Sequence, residues 1–201
     1  MPQLVAQTYL TNLQEYTTYK SHLGLEIDLA FTAFEDQKIL RDLDRKTCLL
    51  LTEKNLWTQE LKLWIREIQI NTAIKCPEII RRSKTLSLGI QLTDNLTIAK
   101  LNGAWRNQFK TTDVLSFPVL DEDLVFPDNA FIELGDIIIS IPMAKEQAEQ
   151  HNHELGKELR WLASHGLLHL LGWEHPSSQS LQQMLNYQEQ LLSISSKVHQ
   201  R

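Results

Sequence analysis

Long apolar runs are missing from this chain. Its longest, such as "DIIISI" (136–141) and "TCLLLT" (47–52), stop far short of the roughly 18 residues a spanning helix needs, so no membrane partner is expected. The start, "MPQLVAQTYL", has neither the basic flank nor the apolar stretch of a secretory signal. Cysteine is scarce as well: Cys48 and Cys76 lie far apart and form no Cys-x-x-Cys pair. That fits reduced thiols in a cytoplasmic protein and argues against a zinc site built on cysteine. No internal repeat or low-complexity tract is present. Positive charge is in deficit, with 20 Lys and Arg against 25 Asp and Glu and a formal charge of −5. This balance argues against a general nucleic-acid binder, and no DNA partner is expected.

The deficit is uneven. Residues 75–110 carry seven basic groups (Lys75, Arg81, Arg82, Lys84, Lys100, Arg106, Lys110) against two acids, Glu78 and Asp94. Residues 111–136 carry seven acids and no basic residue. On charge alone, an ordinary solvated surface explains this better than a basic face for a polyanion.

What is present fits one domain: 201 residues, 42% of them hydrophobic, enough for a core. Residues 1–24 are polar and weakly periodic and read as an N-terminal extension, leaving 25–201 as a single domain. "LEIDLAFT" (25–32) alternates as a half-buried strand does. Residues 34–56 support no assignment. In "TQELKLWIREIQINTAI" (58–74), Leu61, Trp64, Ile65 and Ile68 recur at helical spacing. "TLSLGIQLT" (85–93) is a strand, followed by a helix to about Trp105 capped by Thr93 or Asp94. "DVLSFPVL" (113–120) is a strand whose Pro118 suggests an edge or a bulge, and an acidic loop follows. "GDIIISI" (135–141) reads as a strand buried on both faces, with Pro142 opening a helix that Asn152 and Gly156 break. Further helices are expected from about 157 to Leu171, stopped by Gly172, and over 177–195. Alternating strands and helices predict an α/β fold, a small mixed β-sheet packed against helices.

The chemistry concentrates in "SHGLLHLLGWEHP" (164–176). His165 and His169 are four apart on the expected helix and so project from one face. Gly172 lets the chain turn so that His175 approaches the same point. Three imidazoles suit Zn2+ or a similar borderline ion and leave a fourth position open, which marks catalytic rather than structural sites. The other histidines are unremarkable: His22 and His199 lie near the ends. His151 and His153 sit in a polar helix break, where His153 can cap or hydrogen-bond locally.

A peptidase shares this spacing. Metzincins use His-x-x-x-His-x-x-Gly-x-x-His, with a glutamate general base after the first histidine. Here that position is Gly166, which cannot accept a proton and costs roughly 1 kcal/mol relative to alanine within a helix. A close approach by substrate or a neighbouring strand would explain the glycine.

"HGLLHLLGWEH" resembles the HGxLHLxGxDH signature of the YbeY family, bacterial metal-dependent endoribonucleases of ribosomal RNA maturation. Glu174 stands where the family has aspartate. A second block, "LNGAWRNQFKTTDVLSFP" (101–118), resembles the family's LNxxyRxxxxpTDVLSFP, and "GDIIIS" fits a third landmark. The resemblance spans about residues 85–175, and more loosely Leu25 to the C-terminus.

The resemblance implies a three-histidine metal site in a cleft, and an arginine there that carries over onto Arg106. A guanidinium can grip two phosphoryl oxygens at once, and Lys100 and Lys110 are weaker candidates for phosphate contacts. Asp113 and Ser116 either line that cleft or are a turn acid and a packed serine, the default. Trp173 is a packing residue by default and a stacking partner for an unpaired base otherwise. Glu174 either orients His175 or faces solvent.

The expected function is therefore a metal-dependent, single-strand-specific endoribonuclease acting on ribosomal RNA in the cytoplasm. It would serve 16S rRNA 3′-end maturation and ribosome biogenesis, with the ribosome or small-subunit assembly proteins as partners. The alternatives are a metzincin-like zinc peptidase and a non-catalytic ribosome-assembly factor with a structural metal. A fourth protein ligand would favour the latter.

Overall fold

The computed structural model describes residues 24–120 and 131–199. The expected N-terminal extension lies outside the described residues except for Gly24, and so does most of the acidic loop. Four strands form one sheet: β1 (Glu26–Thr32), β2 (Thr85–Thr93), β3 (Val114–Pro118) and β4 (Ile132–Ser140). Their order is β1-β2-β4-β3, parallel except for β3, which runs antiparallel to β4 along an edge. Pro118 thus sits on an edge strand, where its missing N–H breaks no ladder bond.

Eight helices are described. Two short ones, α1 (Gln37–Leu40) and α2 (Arg45–Thr52), occupy the stretch whose pattern supports no assignment. Their N-caps are Asp36 and Asp44, whose side chains accept from Lys38 N and Thr47 N. The amphipathic helix α3 spans Lys54–Ile70, four residues earlier at both ends than the 58–74 expectation. Asn71 stops it, its side chain accepting from Ala73 N at 3.1 Å in a local turn. After α4 (Glu78–Arg82) come β2 and α5 (Asn95–Arg106), capped by Asp94, which accepts from Thr97 N at 2.7 Å. The last three helices are α6 (Ile141–Gln150), α7 (Leu155–Leu170) and α8 (Ser178–His199). Asn152, at φ 54°, breaks α6 from α7 as expected. Gly156 does not: it lies inside α7, where an added Cβ would sit 3.0 Å from Thr47 Oγ1 of α2.

The period of two in the strands decides which layer each residue joins. Ile137 and Ile139 of β4, with Leu86, Leu88, Ile90 and Leu92 of β2, face the main core with α3, α7 and α8. Ile138 points the other way and meets Ile98 of α5 and Leu115 of β3. This is why "DIIISI" lacks alternation: both faces of β4 are covered.

A buried polar network ties the three core helices together. Glu60 of α3, fully buried, takes Arg160 of α7 at 2.7 Å and Ser195 of α8, whose hydroxyl also accepts from Trp64 Nε1 at 2.9 Å. Removing one partner of such a pair leaves a charge uncompensated in the interior, so α7 is fixed in place. Among the described residues no helix is long and apolar enough to cross a membrane.

Candidate metal centre and its cleft

Helix α7 carries His165 and His169 one turn apart, with their Nε2 atoms separated by 3.2 Å. The helix then ends in a double bond pattern: Trp173 N donates to Leu168 O and Gly172 N to His169 O, both at 3.0 Å. This Schellman stop needs a left-handed residue, and Gly172 supplies it at φ 79°. The reversed chain brings His175 back, with ring centres 4.8–5.5 Å apart across the three imidazoles. One nitrogen of each lies within 4.8 Å of the others.

Trp173 anchors that reversal. Its indole is buried, donates to Lys75 O at 2.8 Å and packs edge-on against Tyr187 at 5.1 Å. Its role here is packing.

Gly166 is explained by the sheet. A Cβ there would lie 2.7 Å from Ile137 Cγ2 and 3.1 Å from Ser116 Oγ. Its missing side chain lets α7 press on β3 and β4 beside the histidines.

The protonation states suit a metal. Gln188 of α8, fully buried, donates through Nε2 to Trp161 O at 2.7 Å, leaving Oε1 to accept. His165 Nδ1, 3.2 Å from that oxygen, therefore carries the ring's proton, and Nε2 turns its lone pair toward His169. Burial, and then the neighbouring histidines, push the His165 pKa below the ordinary histidine value. Burial likewise lowers His169, opposed in part by Glu174. Neutral imidazoles with free lone pairs are what a transition ion requires, so the residues fit one. Among the described residues no fourth His, Cys, Asp or Glu joins the triad.

The histidines open into a cavity of about 310 Å³, lined also by Arg106, Asp113, Ser116 and Trp161. Asp113 and Ser116 are thus cleft residues, against the default reading of both. The Asp113 carboxylate is held from three sides, by Val114 N and Thr112 Oγ1 on one oxygen and by Gln147 Nε2 on the other, at 2.9–3.0 Å. Glu174 is exposed and stands 3.9 Å from His169 Nδ1, so its nearest histidine is not His175.

The basic run of residues 75–110 does not form one face. Arg81 is spent on the carbonyls of Ile68, Gln69 and Asn71 at the end of α3, and Lys75 bonds Gly172 O. Lys100 and Lys110 are exposed but do not line the cavity. A second cluster, missed by sequence reasoning as a group, joins α6 to α7. His153 Nε2 lies 2.5 Å from Glu158 Oε2, with His151 Nδ1 3.7 Å from the same oxygen.

An α/β sheet protein with an open three-histidine cleft faced by an arginine is the class these features define. The chain belongs to the family described as Endoribonuclease YbeY, whose pattern matches residues 51–196. Endoribonuclease YbeY of Prochlorococcus marinus (strain MIT 9313) is 54% identical over 179 residues, covering 89% of this chain and 96% of its own. That of Synechococcus sp. (strain CC9311) is 44% identical over 174 residues, 87% of this chain and 98% of its own. A Thermotoga maritima protein solved in solution has the same fold, with a TM-score of 0.50 and 21% identity over 84% of this chain and 89% of its own.

Proposed function

We propose that this member of the family is a metal-dependent endoribonuclease that cuts single-stranded ribosomal RNA in the cytoplasm, in 16S rRNA 3′-end maturation and ribosome biogenesis. The observation that carries the reading is the meeting of His165, His169, His175 and Arg106 in one cleft. In this reading the three imidazoles hold one ion, zinc by the chemistry of the donor set. Bound there, the ion would supply Lewis acidity at a phosphoryl group.

The chain's own residues do the rest. Arg106 ends α5 and offers a planar fork to two non-bridging phosphate oxygens. Gln188 holds the tautomer of His165, and Asp113 sets a fixed carboxylate across the cleft. The RNA substrate would reach its small-subunit context through assembly partners. A peptidase reading lacks its base, because the space a side chain at position 166 would need is taken by Ile137 and Ser116.

One preparation tests this by bound metal, RNA cleavage and peptide cleavage. His169→Ala should lose the ion and with it RNA cleavage. Arg106→Ala should keep the ion and lose RNA cleavage by about 10²-fold or more, the scale of a lost transition-state charge contact. Full cleavage by Arg106→Ala would remove its assigned role, and peptide cleavage alone would overturn the whole reading. A cyclic or 3′-phosphate product would make the RNA 2′-hydroxyl the nucleophile, and a 3′-hydroxyl would make it water.

A further inference from the structure

Two large aromatic side chains flank Arg106 in sequence and stand in solvent, Trp105 at 71% exposure and Phe109 at 84%. Both are seated. The Trp105 ring rests edge-on against Phe117 of β3, centres 5.7 Å apart, and Phe117 directly follows the cleft residue Ser116. Phe109 lies over Gly103 of α5, where an added Cβ would come within 2.2 Å of its ring.

The turn between the two rings is pinned from inside. Asn102, buried, donates through Nδ2 to Lys110 O at 2.9 Å, while its own carbonyl accepts from Gln108 N at 3.3 Å and from Asn107 N. Asn107 closes the helix in the left-handed conformation at φ 54°. A rigid turn that holds two apolar planes in water gains nothing for the fold by exposing them.

We propose that Trp105 and Phe109 form a stacking platform for unpaired nucleobases next to the bond that is cut, a subsite that rests on the endoribonuclease reading above. The surrounding charge favours this occupant. Residues 95–112 carry Lys100, Arg106 and Lys110 and no acid, on a chain whose formal charge is −5. A polyanion bearing flat apolar groups matches such a surface, and every base has a face to stack. A double helix buries those faces, so the platform makes a preference for single strands a physical consequence of the site. Trp105's support, Phe117, belongs to the edge strand β3, and Arg106, next to Trp105 in sequence, lines the cleft together with Val114 and Ser116 of that strand.

The test is a cycle between ring and base. Initial rates are measured for the wild type, Trp105→Ala, Phe109→Ala and the conservative Trp105→Phe. The substrates are a single-stranded 12-nucleotide RNA and a matched one with abasic residues beside the scissile bond. With the intact RNA, kcat/KM should fall about tenfold for each alanine variant, and Trp105→Phe should recover most of the loss. With the abasic RNA the alanine variants should match the wild type. Equal losses on both RNAs, or no loss on either, overturn the platform. Failure of the wild type to cleave either RNA sinks the endoribonuclease reading itself, and the platform with it.

Discussion

Gln188 decides which nitrogen of His165 turns its lone pair toward His169. Its amide is locked between Trp161 O and the imidazole, so replacing it with leucine removes the acceptor that keeps the proton on Nδ1. Losses of this kind cost about 10–100-fold in metal affinity. We expect Gln188→Leu to bind zinc more weakly by that factor, measured by competition titration on protein whose circular dichroism matches the wild type. Unchanged affinity would show that the tautomer is set elsewhere. Nothing in "LQQMLNYQEQLL" distinguishes this glutamine from its neighbours, because its partner lies 23 residues away on another helix. Glu174 teaches the same lesson. Adjacency in sequence left it either orienting His175 or facing solvent, and the carboxylate is exposed, with His169 rather than His175 as its nearest histidine.

Helix α7 is the element on which the site is built, and most of its logic was legible. The i, i+4 histidines, the glycine stop and the returning third histidine follow from helical geometry and from the left-handed conformation that glycine accepts. The role of Gly166 was legible only as a choice between substrate and strand, and the contact with Ile137 chooses the strand. Gly166→Ala gains ~1 kcal/mol of helix propensity. It also forces a methyl into a buried β-branched neighbour, an overpacking that costs about 1–3 kcal/mol. We expect a net loss of up to about 2 kcal/mol, read as a lower denaturant midpoint, together with weaker metal binding as α7 lifts from β3 and β4. A more stable variant would mean that the helix is free to shift.

At the scale of the whole molecule, stability carries a pH dependence set by two of the site's histidines. His165 and His169 are both held below the ordinary value of 6.5, chiefly by burial. Above that value they are neutral folded and unfolded, and their contribution is fully present. As pH falls below it, the unfolded chain takes up protons that the folded chain refuses, so stability drops until the depressed folded values are passed. We expect the metal-free protein's urea midpoint to decline from pH 7.5 to 5, and more steeply than that of a His165→Gln, His169→Gln double variant. Equal slopes would place the titration in other groups. By itself the sequence determined the strands, the longer helices, the cap at Thr93 or Asp94 and the meeting of the three histidines, because each depends on contacts within a few residues or on a period along one element. Only the tertiary structure decided what stands opposite the triad: Gln188 behind His165, Asp113 and Ser116 in the cleft, Trp173 as an anchor, and Trp105 and Phe109 left in solvent. Those assignments depend on which faces of separate elements meet, and packing across the sheet, not local periodicity, sets them.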